Sequence, residues 1–342
     1  MRTLIPRAAG SPAALRRSAA RLIAGVAAAV LVAGLVGCGG PPDRRAEADR
    51  LQTAIDAMPG VKVAHVNYAH SWDSALLDID VSVPDATPQQ IADVVKRINT
   101  IRGDAFNGYD QSAEFEVMAD KRGTIRRDAE LDPDSIAADT TQVRRLASAV
   151  TGTVSLARGD KTGTYLGLGG VSTPIDDTLA AVRAEFGDSI PKVDIQPPSG
   201  GFGTVGAPKW TVMFPFSADD QRRIDQQLSA IPLGVTDIEV GPGAVFTKLV
   251  VEVSNPANAD ADLAATIEAT RAGPAHPMWL MFHLSDAQKP TDWPGSVDVG
   301  GCSYANSGYT DSEKENHPEK FLSAQTVALQ QRLRSRFDTC RH

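Results

Sequence analysis

Segments of helical and of strand periodicity alternate along most of this chain, in an order that repeats. Leu51, Ile55 and Met58 share one face of a helix expected over Ala46 to Met58, and Pro59-Gly60 stops it. Two strand-period runs come next, "VKVAHVNYA" and "ALLDIDVSV". The second sets Leu77, Ile79, Val81 and Val83 against Asp78, Asp80 and Ser82, a hairpin with one apolar and one wet face. Thr87-Pro88 then supplies a capping hydroxyl and a proline at the first helical position, where the missing N–H costs nothing. The helix it opens carries Ile91, Val94, Val95, Ile98 and Ile101 at helical spacing, and the strand "AEFEVM" comes after it. The unit is αββαβ.

That unit recurs twice. Helix "TTQVRRLASAV", Gly152, strands "TVSLA" and "TYLGLGGV", Thr173-Pro174, helix "IDDTLAAVRAEF" and strand "KVDIQ" form one copy. Helix "DDQRRIDQQLSAI", Gly234, strands "VTDIEV" and "FTKLVVEV", Asn255-Pro256, helix "ANADADLAATIEAT" and strand "MWLMFHL" form the other. Gly152 to Thr173 and Gly234 to Asn255 are both 21 residues, and the period is 82 to 92 residues, the size of a small domain. The pattern predicts an α+β chain of three tandem two-layer α/β sandwich modules, over residues 46–131, 132–216 and 217–285. Each carries two helices on a small, mostly antiparallel sheet. "GTIRRDAEL" and "KWTVMFPF" are candidate fourth strands of the first two modules. Residues 286–342 are expected as a loop and a C-terminal helix, with Leu329, Leu333 and Phe337 on one stripe packing on the third module. The αββαβ order, with Gly60-Val61 and Gly234-Val235 after the first helix, resembles the BON domains of bacterial envelope proteins. Some members of that family are associated with phospholipid binding, a role that the acidic charge of this chain opposes.

The first forty residues obey different rules. Arg2, Arg7, Arg16, Arg17 and Arg21 precede an uncharged run from Leu22 to Gly37. A spanning helix needs about 20 apolar residues, so this run reads as the h-region of an export signal. Leu35-Val36-Gly37-Cys38 resembles the lipobox of bacterial lipoproteins, and high Ala, Asp and Arg with little Lys fits an actinobacterial source. The resemblance implies that residues 1–37 are removed. Cys38 is then acylated, and residues 38–45 tether the protein to the extracytoplasmic face of the cell membrane. Cys302 and Cys340 remain, an even pair in an exported chain, expected as a disulfide; two free buried thiols are the alternative.

Composition narrows the partners. The net charge of −8 becomes −13 without the five leader arginines, so nucleic acid is excluded as a partner. No residue pattern specifies a cofactor, a metal or a catalytic centre. "KTG" at Lys161 to Gly163 and "SIPK" at Ser189 to Lys192 stand in the wrong order and context for a penicillin-recognising serine enzyme. "GLGG" before Ser172-Thr173 lacks the Gly-Lys-Ser/Thr of a phosphate loop and reads as a tight turn. His65 and His70 near Trp72 and Asp73, and His276 and His283, lack the convergence a metal requires. Trp293, Tyr304 and Tyr309 stand out, aromatic residues among Gly, Pro and polar positions around Cys302. They are candidates for binding an envelope protein or glycan, or they belong to a cap over the third module. The expected function is a non-catalytic envelope lipoprotein that binds or scaffolds. The alternatives are a BON-like lipid- or small-ligand-binding protein and a hydrolase with an unrecognised site.

Overall fold

The computed structural model describes residues 42–71, 74–198, 206–284, 293–302 and 317–340. Within these residues twelve strands form one sheet whose spatial order is the chain order. The strands are β1 Val63–His70, β2 Ala75–Ser82, β3 Asp110–Glu116, β4 Gly123–Arg127, β5 Thr153–Gly159 and β6 Gly163–Gly169. They continue as β7 Lys192–Ile195, β8 Lys209–Met213, β9 Gly234–Gly241, β10 Val245–Val253, β11 Met278–Leu284 and β12 Gly295–Val299. Seven α-helices accompany them: α1 Arg45–Asp56, α2 Pro88–Arg102, α3 Pro133–Ala149, α4 Ile175–Phe186, α5 Ala218–Ser229, α6 Ala259–Thr270 and α7 Ala324–Phe337.

Strands pair antiparallel within each couple, β1 with β2 through β11 with β12, and parallel between couples, where α2 to α6 each cross over to the next strand. The chain is thus a run of ββα units, with helices α2 to α6 starting 41 to 45 residues apart. The helices lie side by side on one face: α1 on α2, α2 on α3, α3 on α4, α5 on α6 and α6 on α7. Gln221 of α5 donates to the Asp176 carboxylate at the start of α4, linking the remaining pair.

Three separate sandwiches were the expectation, and this is corrected: the sheet is continuous and mixed. "GTIRRDAEL" and "KWTVMFPF" supply β4 and β8, which pair parallel to β5 and β9 across the expected module boundaries. The physical reason is the sheet edge. A short module would expose unpaired N–H and C=O groups on its last strand, and here the next unit occupies them. Among α2 to α6, helices two ββα units apart start 84 to 87 residues apart. Successive crossovers advance the same way over the same face while their strands reverse direction. Their hand therefore alternates, departing from the usual right-handed rule, and direction and hand are both restored only after two ββα units.

One apolar core runs the whole width between sheet and helices. Leu77, Ile79, Val81 and Val83 are buried as the alternation predicts, as are Ile91, Val94, Val95 and Ile98 of α2 and Leu329 and Leu333 of α7. Thr87 and Gln90 close a reciprocal capping box, and Ser217 with Asp220 does the same for α5. α3 begins at Pro133 behind an Asp132 cap, earlier than its apolar stripe suggested. At α4 the cap is Pro174, and the Thr173 hydroxyl accepts instead from the Thr151 N–H at 2.9 Å. β12 lies in the Gly- and Pro-rich stretch that was expected to be loop.

Candidate functional site

Each strand sends alternate side chains away from the helices, and no described helix covers that second face. It is mostly polar, a consequence of the period-2 pattern, with Leu76, Ala157, Val250 and Met281 as apolar exceptions. Over β2 and β3 it carries Asp78, Asp80, Glu114 and Glu116, with Arg126 of β4 the register partner of Glu114. A groove of about 430 Å³ runs there between Val63, His65, Asp80 and Glu116. Over β7 to β11 a second groove of about 290 Å³ brings Lys192, Asp194, Lys209, Asp237, Glu239 and Lys248 beside Trp279. Its carboxylates are engaged by neighbours. Asp194 accepts from the Thr211 hydroxyl at 2.6 Å and pairs with Lys192 at 3.2 Å. Asp237 pairs with Lys248 at 3.1 Å, and Glu239 accepts from Thr247 at 3.1 Å. Such an alternating array of fixed charges beside an indole suits recognition of a polar surface.

At each edge of the sheet the flanking helix satisfies part of the strand backbone. On β1 the Ala64 N–H donates to the Asp56 carboxylate at 2.7 Å and the Val66 N–H to the Gln52 side-chain carbonyl at 3.0 Å. Asp56 and Gln52 lie one turn apart on α1, which lets one helix face serve two strand amides. On β12 the Ser296 N–H donates to the Gln330 side-chain carbonyl at 2.9 Å, and Arg334 Nε donates to the Ser296 carbonyl at 3.0 Å. Among the described residues no helix lies on the second face, although Ser296 and Asp298 of β12 are buried there.

Where the chain enters the fold, two tyrosines grip it. Tyr109, buried in the loop between α2 and β3, donates its hydroxyl to the Pro42 carbonyl. Tyr68 of β1 donates to the Asp43 carboxylate at 2.7 Å and accepts from the Arg44 N–H at 2.6 Å. The two hydroxyls are 3.3 Å apart, the rings stack at 5.9 Å, and Phe106 meets Tyr109 edge-on at 5.4 Å. Hydrogen bonding from Tyr68, then from the Arg45 N–H, holds the Asp43 carboxyl below its ordinary value. Desolvation, then the contact with Tyr109, raises Tyr68 and keeps it a phenol. The sequence offered one signal for this pair: Tyr68 is an inward position of β1, in phase with Ala64 and Val66.

A buried ion group lies between α3 and the sheet. Arg127 and Arg158 are register partners on β4 and β5, and both reach Asp139 of α3, Arg158 at 3.3 Å. Beside them a pocket of about 410 Å³ opens between Asp128, Glu130, Ser135 and Lys161. Asp128 serves the β5–β6 turn there, accepting from the Lys161 N–H at 2.7 Å. An apolar cleft of about 440 Å³ lies between β6–α4 and β7–β8, walled by Val171, Ile175, Ile195, Trp210 and Pro174, Pro197, Pro198 and Pro208.

Cys302 and Cys340 form a disulfide, with Cα atoms 5.1 Å apart. Trp293 is half exposed, and its N–H donates to the Phe321 carbonyl. Cys38, Tyr304 and Tyr309 lie outside the described residues, as does the Leu22–Gly37 run. Among the described residues no helix is long and apolar enough to cross a membrane, and no group of three or more His, Cys, Asp or Glu is placed to hold a metal. Lys161 of "KTG" sits in the β5–β6 turn with its ammonium on Asp110, and the Ser189 hydroxyl donates to the Phe186 carbonyl. The two are not brought together. His65 lies on the uncovered face opposite Asp80, whereas His70 stacks on Tyr68 at the end of β1. Gly169 and Gly170 of "GLGG" pack against Gly152, the tight contact expected of a turn. No family model, curated protein or solved structure matches this chain.

Proposed function

We propose that the protein is a membrane-anchored envelope lipoprotein, acylated at Cys38, that acts as a non-catalytic binding or scaffold component. Its partner is an envelope protein or glycan. The observation that carries the binding role is the array of charged side chains over β7 to β11, on a sheet face that no described helix covers. The half-exposed Trp293 offers that partner a further contact, and Tyr304 and Tyr309 stay candidates from the sequence alone, outside the described residues. A photo-crosslinking residue at Lys209, in the β7–β11 groove, tests this in intact cells. A discrete protein or glycan adduct is expected there and not from Gln89 on the outer side of α2. Crosslinking to bulk lipid alone, or equally from both positions, refutes the reading.

The apolar cleft at Trp210 favours a second reading, in which a BON-like lipoprotein carries a small apolar ligand. Energy transfer from tryptophan to an added fluorescent fatty acid, abolished by Trp210→Ala, would support it; a signal unchanged by that substitution would reject it.

A further inference from the structure

We infer that the Tyr68–Tyr109 clamp on residues 42–44 sets how the protein sits on its membrane. It holds the β1 corner of the sheet, where the α2–β3 loop lies, against the lipid surface and turns the opposite corner away. The inference rests on the lipoprotein reading above, because it needs Cys38 to carry the lipid.

A tether normally leaves its domain free to tumble, since a Gly-Pro stretch makes few fixed contacts with the domain it carries. Here the fixed contacts begin at once. Pro42, Asp43 and Arg44 each bond to one of two tyrosine hydroxyls, one from β1 and one from the α2–β3 loop. Arg45 lays its guanidinium 5.4 Å from the centre of the Tyr68 ring. Two of the five tyrosines of the chain are devoted to three residues of incoming backbone. Apart from each other, the two hydroxyls bond only to these incoming residues among those described. The clamp ties the fold to the segment that precedes it.

Four residue steps lead from Cys38 to Pro42, a reach of at most about 14 Å at 3.3 to 3.6 Å per residue. The clamped corner therefore stays within roughly that distance of the acyl chains. The strand directions determine which groups share the corner. β1 ends and β3 begins there, so Asn107 of the α2–β3 loop lies at the membrane. Ser254, after the end of β10, lies at the opposite end of the strands and nine strands away across the sheet.

The test uses the full acylated chain reconstituted in phosphatidylcholine vesicles that contain a headgroup-nitroxide lipid. A fluorophore is placed on Asn107→Cys or on Ser254→Cys. Quenching at 107 is expected to exceed that at 254 by threefold or more. In the Tyr68→Phe/Tyr109→Phe protein, which keeps both rings and loses both hydroxyls, the ratio is expected to fall toward one. Equal quenching in the parent, or a ratio unmoved by the double substitution, overturns the inference. The mass of the N-terminal peptide decides the underlying reading separately. An unacylated Cys38, or full membrane retention of Cys38→Ala, sinks the lipoprotein assignment whatever the quenching shows.

Discussion

Asp139 offers the sharpest test of how the helix layer is bound to the sheet. Its carboxylate is almost fully buried, as is the Arg127 side chain it meets, and Arg158 approaches from the neighbouring strand. Asp139→Ala would leave the buried Arg127 guanidinium beside Arg158 with only the weaker influence of Asp132 to oppose its charge. Burial already pulls Arg127 below its ordinary pKa, with Asp139 the main influence opposing that shift, so the aspartate is what makes the buried charge tolerable. Removing one partner of such a group costs about 3–5 kcal/mol. With a urea dependence of about 3 kcal/mol per molar, the unfolding midpoint should fall by about 1 M or more. Asp139→Asn, which keeps an acceptor, should lose less. Asp139→Leu combined with Arg127→Met should recover part of the loss, because the fully buried pair then has no charge to desolvate, while the partly exposed Arg158 loses its carboxylate but keeps access to water. Equilibrium urea unfolding monitored by far-UV circular dichroism gives the midpoints. A midpoint for Asp139→Ala within about 0.2 M of the parent would mean that the arginines find water or other partners, and that the aspartate does little to hold α3 to the sheet.

Gly152 has φ +85°, and a Cβ there would overlap the Gly169 carbonyl, so Gly152→Ala should destabilise by more than about 2 kcal/mol, read as a lowered melting temperature. Replacing Cys302 and Cys340 by serine opens a loop of 38 residues and should cost about 4 kcal/mol in the chain-entropy model; thermal unfolding with and without reductant checks it. Burial, and secondarily the Asp176 carboxylate, raises the pKa of Asp225. A raised carboxyl pKa weakens the fold as pH climbs through the folded value, so Asp225→Asn should stabilise at pH 7 and not at pH 3. Asp43 is the reverse case: its contribution is present at neutral pH and lost as pH falls through its lowered pKa, so proteolysis after Arg44 or Arg45 should accelerate only in acid.

Local chemistry was legible where side chains act on their own backbone. Thr87-Pro88, the alternation of Leu77 to Val83 and the Leu329–Leu333 stripe all declare an element without help from distant residues. What the pattern could not declare is whether an edge strand ends a sheet or passes it on. "GTIRRDAEL" reads the same in both cases, because the answer depends on β5, some thirty residues later. The half-length unit was hidden for a related reason. Successive helices run in opposite directions, so their connections to the next strand lie at opposite ends of the sheet, with Gly152 at one end and Gly103 and Gly187 at the other. Of the functional features, the cysteine pair was visible from counting. The Tyr68–Tyr109 grip and the Arg127–Asp139–Arg158 group were not, since each joins elements that only the crossovers bring together.

The stepwise order of the sheet turns the protein into a measure of length. Eleven gaps of about 4.8 Å separate β1 from β12, so roughly 53 Å of sheet lies between the corner held by the two tyrosines and the strand that leads to the disulfide. Every additional hairpin would lengthen that span by about 10 Å. Helix side chains already occupy the Ala64 and Val66 amides of β1 and the Ser296 amide and carbonyl of β12, which opposes pairing of a further strand at either end. The chain therefore carries its C-terminal segment at a distance from its point of attachment that is counted in strands and written into the number of its repeats.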